Sequence, residues 1–476
     1  MSNKENNAVL ENDVAIYLEP SKRKIVAIAL LVSVFGCNFS FRAFGIALPH
    51  IIAGWDAMQL YTLGATLMTV AMTIATVIVA RVAPKTGLKQ TIIVGLAIIL
   101  VCNMLTLVAP SMLIFVILRV LTGVGNGIVC GQIAASMNKI WPSSQRGTWI
   151  GILGIFQSLT SVIGPTLSGA LVDQFGWQST YFTISAFQII GLIMFITLCP
   201  KDTRDRFYEP VPFDVAGTIF FTVFVTSIVL VCSYGNSLGW TNVKILIGFL
   251  VVIIAMIGLV VSENKAGVGS LLPWDLFKND SNFVKIFLIA ILISLPGMAQ
   301  VYFMPLYLQK VAGTSAIISG LPFTILSIAS LIASPLAARI IQKTGKPKPV
   351  MMICGLMMTV PTLIYGIWIY PEVGTENLSI IYGLSFLYGL GYILTMTLPY
   401  IACAKFLPEK SIGIGTANVY MGITLGSSVG LAFLQAVFNA LSTSVDMNAG
   451  IKAAFICSSI AGALTIVLAF SLKKIK

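Results

Sequence analysis

The chain has 476 residues, 57% of them apolar and only 10% charged, with a mean hydropathy of +0.95. A soluble protein is about one quarter charged, so this composition excludes a water-soluble fold and makes lipid the solvent for most of the chain. The net charge of +12 fits either nucleic acid or the basic face of a membrane protein, and the placement of the charges decides between them.

Residues 1–23 form a polar tail with Glu5, Glu11, Asp13 and Glu19, unlike the basic-then-apolar form of a cleaved signal peptide. Apolar runs then follow near 25–52, 58–82, 90–109, 111–137, 148–172, 180–199, 214–234, 243–262, 283–308, 314–341, 349–370, 379–404, 412–440 and 451–472. Each approaches the roughly 20 residues that a spanning helix needs. The runs are continuous rather than alternating, which argues against a strand barrel. The expectation is therefore an all-α integral membrane protein with 14 transmembrane helices. The eight cysteines fall in or at the ends of these runs without metal-ligand spacing or a secreted disulfide pattern, and read as small core residues.

With the N-terminus placed in the cytoplasm, 24 of the 29 Lys and Arg fall in cytoplasmic segments, and only Lys244, Lys310 and Lys452 fall on the other side. This is a positive-inside pattern: it predicts both termini in the cytoplasm of a multi-pass protein of the cell membrane, and no nucleic-acid partner. The connection ARVAPKTGLK at 80–89 resembles ARIIQKTGKP at 338–347, an offset of 258 residues. That offset spans eight helices, as expected if two six-helix halves, 24–199 and 283–476, flank an inserted two-helix hairpin at 200–282 behind the cytoplasmic tail 1–23. Parallel repeats of this kind mark secondary transporters, with the site between the halves.

Several motifs in chain order carry a family resemblance. Helix 4 holds Arg119-Val-Leu-Thr-Gly123-Val-Gly125-Asn-Gly127, similar to RxxxGxGxG, and helix 5 holds Gly151 and then Gly164-Pro165-Thr-Leu-Ser168-Gly169, similar to GPxxGG with one Gly replaced. Gly239-Trp240, Pro273-Trp-Asp-Leu-Phe-Lys-Asn279 and Tyr307–Ser315 leading to Gly320-Leu-Pro322 add to these. The chain from about 24 to 472 resembles the major facilitator superfamily, and within it the fourteen-helix drug:proton antiporter-2 family. The resemblance implies alternating access driven by a proton gradient, no other cofactor and no catalytic residue. It also implies gating or coupling roles for Arg119, for Gly164, Pro165 and Gly169, and for Lys85, Gly87 and Lys89 of the loop after helix 2. In that loop Pro84 replaces the family's Asp, and in helix 1 the family's intramembrane acid falls on Ser40 while Ala47-Leu48-Pro49 is kept.

All 17 acids lie in the tail, in loops or at helix ends, whereas Arg42 and Arg119 are predicted inside the membrane. Each costs on the order of 2.5–3.5 kcal/mol on insertion scales, so each should face the interior or a wet cavity, and an anionic solute is a natural counter-ion. Asn38, Arg42, Gly45 and Pro49 share one face of helix 1. Gln300 stands 258 residues after Arg42, and Tyr388, Tyr392 and Tyr420 in helices 12 and 13 offer aromatic area with hydroxyls. For each the bland reading is packing, an interhelical hydrogen bond or an interfacial ring; for Arg119 it is backbone pairing. His50, the only histidine, is either part of a lid or a proton carrier; Asp56 and Asp173 are the other carrier candidates, against the reading as solvated loop acids.

The leading expectation is a proton-coupled secondary transporter of an amphipathic organic anion, for which bile-acid-like carboxylates are candidates because transporters of that kind resemble this family. The small-molecule solute and the bilayer are its partners, and the protein is expected to be a monomer. The alternative is a multidrug efflux antiporter, and a remote third reading is a membrane sensor on a transporter scaffold. No nucleophile and base, metal cluster or phosphate loop points to an enzyme.

Overall fold

The computed structural model describes residues 16, 18–53, 63–200, 214–266, 274–344, 346–368, 378–407, 412–444 and 446–473. Asp56 and the side chain of Tyr420 lie outside the described residues. The chain runs through α1 (Pro20–Ala53), α2 (Leu63–Thr86), α3 (Leu88–Thr106), α4 (Met112–Ile140), α5 (Ser143–Phe175), α6 (Gln178–Leu198), α7 (Val215–Leu238) and α8 (Val243–Ala266). A short helix, Trp274–Asn279, leads into α9 (Ser281–Val311), and α10 (Ala316–Thr344), α11 (Pro347–Trp368), α12 (Leu378–Phe406), α13 (Ile412–Ser444) and α14 (Met447–Phe470) follow. No strand occurs among the described residues.

Of these helices, 12 are long and apolar enough to cross a membrane. The other two expected spans, α2 and α12, are helices of 24 and 29 residues, whose described apolar stretches are Leu63–Val79 and Leu378–Tyr392. Apolar side chains on the outer surfaces, such as Val101, Ile193, Ile254 and Val467, stay exposed, as lipid rather than water requires. All eight cysteines are free.

In lipid, helices gain little from hydrophobicity and associate where small residues let backbones approach. On α4, Gly123, Gly127 and Gly131 meet Met68, Met72 and Thr76 of α2, and a Cβ on Gly123 or Gly127 would strike a carbonyl oxygen of α2. Gly389 of α12 meets Leu326 of α10 in the same way. Phe44 on α1 and Tyr302 on α9 pack ring against ring, edge-on at 6.5 Å.

The sequence predicts α9 as a plain helix, and it is not one. It bends at Ile293 and widens into π-turns at Ala299–Phe303 and Tyr307–Val311. Pro296 and Pro305 explain this, because each lacks the N–H that would bond the carbonyl four residues earlier. For Pro305 that carbonyl belongs to Val301, and Gly45 of α1 lies against it, with a Cβ there only 2.6 Å from the oxygen.

Helices α7 and α8 pack on each other and lie over the seam between α2 and α13. Phe221, Val225 and Val229 of α7 join Val70 of α2 and Met421 and Ala432 of α13 in one buried cluster. Asn236 donates to the carbonyl of Ala436, and Trp240 Nε1 donates to Asn236 Oδ1 at 2.8 Å. Asp214 caps α7 by accepting from Gly217 N at 2.7 Å and accepts from Ser262 Oγ at 2.8 Å. Glu263 at the end of α8 is buried beside it rather than solvated.

Candidate functional site

Arg42 is half-buried on α1, with its guanidinium 4.6 Å from the ring centre of Phe323 on α10 and 5.8 Å from that of Phe41. Gly164 of α5 makes room for its stem, since a Cβ there would lie 3.3 Å from Arg42 Cβ. No carboxylate pairs with it among the described residues. Asn38, one turn earlier, is also half-buried and donates to the Val34 carbonyl at 3.2 Å.

Arg119 is buried outright. One terminal nitrogen donates to Met68 Sδ at 2.8 Å, the guanidinium carbon stands 4.0 Å from the ring centre of Phe44, and Nε has no partner. The buried hydroxyl of Tyr181 lies beside it, again without a hydrogen bond of good geometry. Phe44 thus touches both Arg119 of α4 and Tyr302 of α9, so the crossing of α1 with α9 is a cationic, aromatic locus built from α1, α4 and α9.

A second polar group lies in the other half. Gln300 sits in the first π-turn of α9, and its amide nitrogen and oxygen, both buried, lack hydrogen-bond partners. Its amide lies beside the hydroxyl of Tyr365, which donates to the Ile381 carbonyl and shares a hydrogen bond with Ser385 Oγ, both at 3.0 Å. Tyr388 stacks on Tyr392 at 5.7 Å, its own buried hydroxyl is unpartnered, and Tyr392 packs on Gly297, one turn before Gln300. Thus the structure brings Gln300, Tyr388 and Tyr392 together; Tyr365 is a member that the sequence reading missed, although Thr362, Tyr365 and Gly366 share the buried face of α11 at helical spacing. Leaving buried polar atoms unpaired costs about 1–3 kcal/mol each.

At the face opposite the lysine-rich one, α5 and α10 form a tight seam. Gly169 meets the Ala316 carbonyl and Ile317, where a Cβ would be 2.6 Å away, and Gly320 meets the Pro165 carbonyl, where it would be 2.7 Å away. Thr166 and Thr324 hydroxyls bond at 2.7 Å, and Thr324 Oγ1 also donates to the Val162 carbonyl at 3.0 Å. Asp173, at the end of α5, accepts from the backbone N–H of Ala316 and Ile317 at 2.8 and 2.9 Å. It thereby caps α10 from the other half, a helix N-terminus holding an anion as its dipole favours. Gln309 Nε2 donates to the Ile46 carbonyl and to Ser319 Oγ, adding α1 and α9 to this closure. His50 stands exposed close by, within electrostatic reach of Asp173 and Lys310.

At the lysine-rich face, Gly87 turns the chain between α2 and α3 with φ 89 and ψ 153, a region open essentially to Gly alone. Lys89 donates to the carbonyls of Ile196 and Cys199 at 2.8 and 2.7 Å, closing the end of α6, while Lys85 stands exposed at the end of α2.

The architecture agrees with comparisons to known proteins. The model of the Major Facilitator Superfamily matches residues 30–431 and 286–475. The multidrug transporter protein MdtP of Bacillus subtilis (strain 168) is 27% identical over 427 residues, covering 89% of this chain and 76% of the relative. Multidrug resistance protein Stp of Mycobacterium tuberculosis (strain ATCC 25618 / H37Rv) is 26% identical over 415 residues, covering 84% and 73%. In fold alone, a peptide transporter POT crystallised with sulfate superposes with TM-score 0.70 at 14% identity over 98% of both chains. A D-xylose-proton symporter superposes with TM-score 0.66 at 13% identity over 94% of this chain and 98% of that one. Apolar spanning helices and a family match over most of the length lead to one conclusion: the chain belongs to the Major Facilitator Superfamily, as a multi-pass membrane transporter.

Proposed function

We propose that this transporter moves an amphipathic organic anion, of the bile-acid or other carboxylate type, by proton-coupled alternating access. The observation that carries the proposal is Arg42, a half-buried guanidinium at the meeting of the halves, stacked on Phe323 and without a carboxylate partner among the described residues. A charge in lipid needs a counter-ion, and a carboxylate or sulfonate supplies it in the flat geometry that guanidinium prefers. Gln300 and Tyr388, whose buried polar atoms lack partners, suit hydroxyl or carbonyl groups on the apolar body, with Tyr392 offering ring area. Tyr420 belongs to the same proposal through its place on α13.

The finer architecture proposed is fourteen spans, α2 and α12 included, both termini in the cytoplasm of a plasma-membrane monomer, and halves 24–199 and 283–476 about the hairpin. Its support is the side on which the lysines and arginines collect. The test is uptake of radiolabelled cholate into proteoliposomes with and without a pH gradient. Gradient-dependent accumulation, reduced about 10- to 100-fold in Arg42→Ala as for loss of a charged hydrogen bond, is expected. No accumulation, or an indifferent Arg42→Ala, overturns the proposal.

A second reading, multidrug efflux, is favoured by the names of MdtP and Stp. Proton-driven export of ethidium, unaffected by cholate, would select it.

A further inference from the structure

On the lipid side of the first half lies a crevice that the transport site does not use. Helices α2 and α3 are each drawn onto α4 by close crossings: α2 at Gly123, Gly127 and Gly131, and α3 at Gly95 and Gly125, where a Cβ on either glycine would lie 3.2 or 2.8 Å from the other's carbonyl oxygen. The two helices are therefore anchored on different faces of α4 and barely meet, being joined by the single left-handed residue Gly87. The wedge between them is a cavity of about 310 Å³, walled by Ala75, Ile78 and Val82 of α2 and Val94 of α3, and floored by Val124 and Ile128 of α4. Polar groups occur only at its end towards the lysine-rich face. There Thr86 and Thr91 bond each other at 2.9 Å and Gln90 completes the lining, while the exposed Lys85 precedes Thr86 by one residue.

We propose that this crevice is a lipid site, holding one acyl chain of an anionic phospholipid whose headgroup lies against Lys85 and Gln90. The apolar walls match a hydrocarbon chain and nothing polar. At about 310 Å³ the cavity lies at the lower end of the range of small-ligand pockets. Complementary charge fixes the choice of lipid: the exposed Lys85 adjoins the lining residue Thr86, with no acid between Arg81 and Gln90, and basic side chains at the membrane surface attract anionic headgroups. A lipid wedged there would hold α2, a helix of the α2/α13 seam, at a fixed spacing from α3.

The experiment is native mass spectrometry of the full-length protein in detergent, with equal palmitoyl-oleoyl phosphatidylglycerol and phosphatidylcholine added. One phosphatidylglycerol should be retained, roughly fivefold over phosphatidylcholine, as expected for one basic side chain at the rim. Val94→Trp and Ile78→Trp, which fill the wedge from its exposed edges, should each abolish the adduct. They stand on different helices, so misfolding of one leaves the other to be read against an unchanged melting temperature. Lys85→Gln should keep the adduct and lose the preference for phosphatidylglycerol. Equal retention of the two lipids by the wild type, or full retention by a folded Trp variant, overturns the proposal and leaves only an unspecific lipid shell.

Discussion

Asp173 offers the sharpest test of how the two halves are held together. Its carboxylate bonds two backbone N–H groups of α10 at 2.8 and 2.9 Å, across the boundary between the halves. Hydrogen bonds to a charged group contribute about 1.5–3 kcal/mol where protected, and loss of an N-cap costs about 0.5–2 kcal/mol. Asp173 is exposed, so screening reduces this to about 1 kcal/mol, which is about fivefold in the ratio of open to closed seams. The assay is hydrogen–deuterium exchange of the protein in lipid nanodiscs, followed at the amides of Ala316 and Ile317. In Asp173→Ala these should exchange about fivefold faster, while Asp173→Asn, which keeps a carbonyl acceptor, should show a smaller effect. If exchange in Asp173→Ala equals the wild type, the packing of Gly169 and Gly320 closes the seam alone, and the cap reasoning is refuted.

Gly169→Leu should open the same seam further, because even its Cβ would sit 2.6 Å from the Ala316 carbonyl oxygen, an overpacking that costs about 1–3 kcal/mol; unchanged exchange at Ile317 would count against it. Arg119→Met should abolish transport yet leave the melting temperature equal or higher, since the buried guanidinium has only a sulfur and a ring as partners and an orphaned Nε and uncompensated buried charge is destabilising. A melting temperature lowered by several degrees would show that Arg119 is a net structural support. Gly87→Ala should lower the melting temperature, because φ 89 with ψ 153 costs a side chain about 1–3 kcal/mol; an unchanged value would mean that the α2–α3 turn rearranges freely.

Composition and hydropathy alone determined that the chain is helical and membrane-embedded, because a run of apolar residues in lipid has no other way to satisfy its backbone than to form a helix. The helix positions follow from the same runs. The sequence also separated Arg42 and Arg119 from every other charge, since isolated cations in apolar runs stand out without any knowledge of packing. What each arginine touches was decided by tertiary structure: Phe323 lies 281 residues from Arg42 and Met68 lies 51 from Arg119, distances in sequence that no helical period bridges. Likewise Asp173 reads as a loop acid until α10 brings its free N–H groups to it, and Glu263 reads as solvated until Asp214 and Gly217 cover it. The π-turns of α9 needed both levels, with prolines placing the missing donors and the approach of Gly45 to the Val301 carbonyl fixing where the helix widens. Local chemistry sets which groups are left unsatisfied, and only the packing of distant helices determines what satisfies them.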